Sequence, residues 1–122
     1  MDWSEIEFFG RDEFRYDGET EPCRKLVRML DSARRLATER AGRDVPFTIT
    51  SAIRPPRQTR EHSSHVTGHA VDIRAWQSRD RFYILEALFA VGFNRIGIYD
   101  RHIHVDTSSN HDPDVVWMGE SE

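Results

Sequence analysis

The run Ser63-Ser64-His65-Val66-Thr67-Gly68-His69-Ala70-Val71-Asp72 is followed, 32 residues after Asp72, by His104 within His102-Ile103-His104-Val105-Asp106. No other feature constrains the fold of this chain as much. Gly68 to Arg74 and His102 to Asp106 alternate polar and apolar residues, the pattern of strands with one apolar face. An aspartate carried on such a strand is costly to bury unless it is paired or bound to a metal. Imidazole nitrogen and carboxylate oxygen suit zinc, and a catalytic zinc site has three protein ligands with the fourth position left to water or substrate. His65, Asp72 and His104 fill that requirement, so the fold must bring two distant segments onto one surface. The bland alternative is that the histidines hold no metal. Any one of the six histidines taken singly favours that alternative, and their grouping with Asp72 favours the metal.

A chain of 122 residues supports one domain with a modest core and does not need a disulfide framework. Cys23 is its one cysteine, which excludes an intramolecular disulfide and a cysteine zinc cage; a small buried filler is expected there. The net charge is −4, and the single lysine, Lys25, stands beside 16 arginines interleaved with acids. That balance argues against a nucleic-acid binder that works by neutralising phosphates. The start Met1-Asp2-Trp3-Ser4-Glu5 is neither basic nor apolar, and no 18 consecutive residues are apolar, so neither an export signal nor a membrane anchor is expected. The chain is expected to be a monomer.

Residues 1–20 mix aromatic and acidic residues and end in Asp17-Gly18, which predicts a short irregular arm packed on the domain. Thr20-Glu21-Pro22-Cys23 predicts a helix start, with Thr20 or Glu21 near the cap and Pro22 in the first turn. Leu26, Met29, Leu30, Ala33, Leu36 and Ala37 form its apolar stripe, running to about Ala41, and Gly42 ends it. A strand is predicted over Phe47–Ser51, a loop over 54–67, and a strand from Gly68 to Arg74 that sets Ala70, Asp72 and Arg74 opposite Val71 and Ile73. Ser78 is placed to cap a helix from Arg79 to Val91 with Phe82, Leu85, Leu88 and Phe89 buried. Arg95–Tyr99 and His102–Asp106 form a hairpin around Asp100-Arg101, and Val115-Val116-Trp117 a last strand. Alternation puts His102, His104 and Asp106 on one face.

Ser63-x-His65-x-x-Gly68-x-Ala70-Val71-Asp72 resembles, without a gap, the S-x-H-x-x-G-x-A-x-D motif of the zinc D-alanyl-D-alanine carboxypeptidase and L-alanyl-D-glutamate peptidase superfamily. His102-x-His104 is similar to that family's second motif, and Thr50-Ser51-Ala52-Ile53-Arg54-Pro55 to its S-G-Y-R-[ST]-P segment. The resemblance runs from about residue 21 to 118. It implies an α+β fold shared with the hedgehog signalling domain: a small antiparallel sheet carrying the zinc site, packed against two main helices. It implies that His65, Asp72 and His104 bind one zinc ion, and that the activity is cleavage of peptidoglycan stem peptides, of the D-Ala-D-Ala carboxypeptidase or the L-Ala-D-Glu endopeptidase type. Small size without a wall-binding domain or export signal resembles phage endolysins and virion-associated lysins, made in the cytoplasm and released onto the bacterial cell wall. A cytoplasmic bacterial dipeptidase is the alternative origin.

Hydrolysis of this kind needs a base for the water's proton and a cation for the oxyanion. Arg54 matches the family arginine that faces substrate; the plain alternative is a solvated loop arginine. Family members commonly place a Glu or Asp three residues before the last histidine ligand, and here Arg101 stands there. Asp100, one step earlier, would reach the site if the turn is shifted, and His102 shares the ligand face, so both are candidates for the base. Asp106 is either a carboxylate partner of a ligand imidazole or a strand-end cap. Ser63 is read as a local hydrogen-bonding residue of the loop and Gly68 as a place of close backbone packing. His62, His69 and His111 are read as surface residues, and Trp76 and Trp117 as core or rim packing before substrate groove. The rival function is a non-catalytic zinc module of the same fold, structural or binding, favoured by the absent acid at 101.

Overall fold

Strand alternation in the two motif segments resolves into the centre of the structure. In this computed structural model, which describes residues 1–14, 20–55 and 63–119, Ala70–Arg74 (β2) and His102–Asp106 (β4) pair antiparallel, with Asp72 opposite His104 and Ile73 opposite Ile103. Ile49–Ser51 (β1), Arg95–Ile98 (β3) and Val115–Met118 (β5) complete a five-stranded sheet of order β1-β2-β4-β3-β5. The β3–β5 pair is parallel and the others are antiparallel. With Arg24–Ala41 (α1) and Ser78–Ala90 (α2) this is the α+β class read from the sequence. Among the described residues no helix is long and apolar enough to cross a membrane.

A strand has two faces, and burying one of them gathers Val71, Ile73, Ile103 and Val105 with Ile96 into the core. Leu26, Leu30 and Ala33 of α1 and Ile84 and Leu88 of α2 join them there, all without exposed surface. Each such leucine or isoleucine contributes roughly 1.5–3 kcal/mol by leaving water. The opposite face of β2 and β4 is left to Asp72, His102, His104 and Asp106.

α1 ends where expected: Gly42 adopts φ +68, the left-handed conformation open to glycine, and its N–H closes the last turn on Thr38 and Glu39 carbonyls. Its start is later than expected. The helix begins at Arg24 because residues 21–23 cross the Gly68 loop instead, where the Cys23 N–H donates to the Gly68 carbonyl at 2.8 Å. Cys23 is half-buried there, not fully buried. A β-carbon on Gly68 (φ +79) would lie 2.8 Å from the Glu21 carbonyl oxygen, so the glycine permits this close approach.

In α2 the expected stripe is out of phase. Leu88 is buried, but Phe82 is 61% and Phe89 50% exposed, while Ile84 and Ala87 face the core. Arg81 sets the phase: its guanidinium donates to the carbonyls of Ala75, Tyr99 and Asp100, and Ile84 and Leu88 follow it at steps of three and four on the same face. The first strand is shorter than expected: it spans Ile49–Ser51, with a register shift between those residues, and Phe47 and Thr48 lie outside it. The last strand is one residue longer. Asp17-Gly18, residues 56–62 of the expected loop and His62 lie outside the described residues.

The arm of residues 1–14 packs on the domain through Phe9 and Phe14, both buried. Its backbone is fixed by one side chain of α1. Asp31, 6% exposed, accepts the N–H groups of Glu7 and Phe8 at 3.1 and 2.8 Å. Asp31→Ala strands both donors, and we expect a loss of about 2–3 kcal/mol of stability, read from urea midpoints. A loss under about 0.5 kcal/mol, the size of an ordinary surface change, would show that the arm is not held by this residue.

Candidate metal centre

The β2–β4 register sets Asp72 beside His104, and the Ser64–Gly68 turn that leads into β2 delivers His65 to the same place. One ligand atom from each of His65, Asp72 and His104 lies within 4.8 Å of the others. Asp72 Oδ1 is the common point, 2.9 Å from His104 Nδ1 and 3.4 Å from His65 Nε2. Two ligands each about 2.0–2.1 Å from a tetrahedral zinc lie roughly 3.3 Å apart. The two separations from Asp72 Oδ1 lie on either side of that value.

The outer atom of every ligand is already engaged. His65 Nδ1 meets the Ala52 carbonyl at 2.6 Å; a carbonyl can only accept, so Nδ1 carries the proton and Nε2 faces the centre. His104 Nε2 meets Asp106 Oδ2 at 2.8 Å, which leaves Nδ1 inward. Asp72 Oδ2 accepts from Arg54 at 2.8 Å, which leaves Oδ1 inward. The partners are anchored in turn: Arg54 also donates to Ser51 Oγ at 2.6 Å, and Asp106, 1% exposed, accepts from Arg95 at 2.7 Å and from the Ser108 N–H. Partners of this kind orient metal ligands and fix their tautomers.

Charge follows the same pattern. Burial alone would raise the Asp72 pKa, but the hydrogen bond from His104 and the neighbouring His65 imidazole outweigh it and hold the carboxyl well below the usual range. Burial would likewise lower His104, yet its bonds to Asp106 and Asp72 raise it. Asp106 is lowered by His104 and Arg95 against its burial. His102 is lowered, by burial first and by the positive charge of His104 and Arg54, while Asp72 and Asp100 oppose the shift.

Of the residues singled out in the sequence, His65, Asp72 and His104 converge, with Arg54 and Asp106 directly behind them. Ser63 Oγ accepts from the His65 N–H at 3.2 Å, within the loop. His102 is half-buried on the ligand face, its Nε2 4.0 Å from Asp72 Oδ2. Asp100 is exposed in the β3–β4 turn outside the cluster, and its charge acts on His102. Pairing is regular up to that turn, with Ile98 opposite Ile103 and the Tyr99 N–H on the His102 carbonyl.

Three contributors were missed in the sequence. The Ala52 carbonyl carries no side-chain signal. Arg95 and Tyr99 do, because extending the alternation of Arg95-Ile96-Gly97-Ile98-Tyr99 puts both on the face of His104. The Tyr99 ring stacks on His102 at 4.3 Å and 11°, and its hydroxyl accepts from Trp117 Nε1. Trp117 lies 5.4 Å from His104 across Gly97, where a β-carbon would come within 2.5 Å of the indole. Trp117 is thus a wall of the site, and Trp76 is 61% exposed, not core.

A protein-family model described as Peptidase M15 matches residues 9–106, a span that includes every residue of the cluster. It agrees with the resemblance carried by the Ser63–Asp72 motif. No curated protein and no solved structure matches the chain.

The metal-free chain should be most stable at mildly acidic pH. His104, raised in the folded state, contributes fully below its ordinary 6.5 and less as pH climbs through its folded value. Asp72 and Asp106, both depressed, contribute above their ordinary 3.8 and lose this as pH falls below it. A bound metal competes for the His104 Nδ1 proton, so its added stabilisation should rise with pH and its binding should release protons over the range in which His104 is protonated. Thermal midpoints from pH 5 to 8 in chelator and in zinc test this, together with proton release on metal addition. A metal-free midpoint that rises steadily to pH 8 would contradict it.

Proposed function

The chain belongs to the peptidase M15 family, and we propose that it is a zinc-dependent peptidase that hydrolyses peptide bonds in peptidoglycan stem peptides. The observation that supports this most directly is the donor set: three ligand atoms face one point while each ligand's outer atom is already bonded. Zinc bound there would supply Lewis acidity, bringing a water's pKa to ~7 and polarising the scissile carbonyl.

The chain's own residues have distinct tasks in this reading. His102 Nε2 takes the proton of the attacking water and returns it to the leaving amine; its lowered pKa keeps it free to accept at neutral pH. Asp100 favours the imidazolium so formed through its charge. Arg54 holds Asp72 Oδ2 and, one-third exposed, turns the rest of its guanidinium to the oxyanion or to a peptide carboxylate. Asp106 fixes the tautomer of His104, and Ser63 fixes the loop that delivers His65.

The bond cut is either D-Ala-D-Ala at a free terminus or L-Ala-D-Glu within the stem, and the biological role is cell-wall lysis of the phage-lysin kind. A non-catalytic zinc module is the second reading, and the observation in its favour is Arg101 in the place of the family acid.

Incubation with purified peptidoglycan and mass spectrometry of the fragments decides between them. Free D-alanine marks the carboxypeptidase and a new N-terminal D-glutamate the endopeptidase. A zinc-loaded chain that releases neither from any wall preparation leaves only the module.

If the chain cleaves, His102→Asn should lower kcat by about 10²–10³ and Asp100→Asn by less than about tenfold, consistent with a screened surface charge. Arg54→Ala should cost about 10²–10³. The reverse order for His102 and Asp100 would move the base to the turn.

A further inference from the structure

We propose a second recognition element beside the metal centre: Arg74 and Trp76 form a subsite that takes a carboxylate of the peptide, one or two residues from the scissile bond. It rests on the peptidase reading, since the peptide must lie along the ligand face of the sheet.

The placement comes from the strand register. Arg74 is opposite His102 in the β2–β4 ladder and two residues beyond Asp72, hence on the same face and roughly 7 Å along the strand at about 3.3 Å per residue. An extended peptide residue spans about 3.3–3.6 Å, so a chain held at the cluster reaches Arg74 within two residues. There the surface opens into a cleft of ≈ 250 Å³ lined by Pro46, Thr48, Arg74, Trp76, Gln77 and Asp80.

The chemistry of the lining selects the ligand. Arg43, Arg54, Arg81 and Arg95 each donate to a carboxylate or a carbonyl. The guanidinium of Arg74 has no such partner among the described residues, while its backbone N–H donates to the Thr48 carbonyl at 2.8 Å. The one acid in the cleft, Asp80, is neutralised by Arg43 at 2.7 Å. Arg74 is therefore the uncompensated charge of the cleft, and a guanidinium matches a carboxylate with two parallel hydrogen bonds. Trp76, 61% exposed, offers an indole face to the aliphatic part of the same residue. Stem peptides fit this pattern, with carboxylates on the D-glutamyl residue and at the terminus.

Titration calorimetry on the full chain in chelator, where the peptide is not turned over and the fold is verified by circular dichroism, tests the subsite directly. The probes are L-Ala-γ-D-Glu-L-Lys-D-Ala-D-Ala and two analogues, one amidated at the D-glutamyl α-carboxylate and one at the C-terminus. One amidation should weaken binding about tenfold, in line with loss of a charged hydrogen bond. Arg74→Gln should abolish that difference, and Trp76→Ala should weaken all three peptides by a similar factor. Discrimination that survives Arg74→Gln, or an unmodified chain that binds all three alike or none, overturns the proposal. Wall digestion separates the two readings. A chain that cleaves walls without Arg74-dependent discrimination keeps the peptidase and loses the subsite; one that discriminates but cleaves no wall keeps the subsite and loses the peptidase.

Discussion

The Asp72 carboxylate is the interaction on which the rest of the structure depends. It is 6% exposed and sits on the strand that also carries Val71 and Ile73 into the core. A buried anion of this kind is tolerable only when it is paired and hydrogen-bonded on all sides. Arg54 takes one oxygen, and His104 and His65 face the other. Each partner comes from a different element: the segment after β1, the strand β4 and the turn before β2. Satisfying one charge thus fixes the relation of three pieces of chain, and the geometry that results is that of three ligands about one ion.

The sheet around this carboxylate is organised in rows across the strands. Ser51, Asp72, His104, Gly97 and Trp117 are successive partners from β1 to β5, so one row runs from the Arg54 anchor through two ligands to the indole wall. Gly97 is the position in the row with no side chain, and the space it leaves is the space Trp117 occupies. The next row pairs Arg74 with His102, and Tyr99 stacks on that imidazole. The hairpin turn that ends this row is held from outside: Arg81 of α2 donates to the Tyr99 and Asp100 carbonyls, and the Ala75 N–H donates to the Arg101 carbonyl. With its carbonyls held in this way the turn does not slide, which keeps Asp100 at the surface and His102 toward the ligands.

Legibility in the sequence followed the range of the forces involved. The strands β2 and β4 and their polar face were readable because a period of two is set by the backbone alone, and the ligands inherit their placement from it. Gly42 was readable as a helix stop for a similarly local reason. The failures are all tertiary. Phe82 and Phe89 make a good apolar stripe on paper, but the phase of α2 answers to Arg81 and the carbonyls it reaches, which are remote in sequence. The start of α1 moved two or three residues because Gly68 claims the chain at Glu21–Cys23. Ala52 was invisible as a partner of His65 since it acts through its carbonyl. Arg95 and Tyr99 were legible in principle, by the same alternation that singled out His104.

The arrangement also bears on whether such a site would be closed or open. A structural zinc takes four protein ligands, whereas a catalytic one leaves a position for water. Among the described residues three ligand atoms gather, and the nearest candidate for a fourth is His102. That imidazole is drawn the other way: it stacks on Tyr99, whose ring lies against Gly119 and whose hydroxyl is held by Trp117. Swinging His102 inward would break a 4.3 Å stack and leave the half-buried Tyr99 face uncovered. The aromatic set therefore holds His102 beside the centre and not in it, its Nε2 4.0 Å from Asp72 Oδ2. Arg101 at the β3–β4 turn does not close the fourth position, so among the described residues the arrangement is of the three-ligand, open kind.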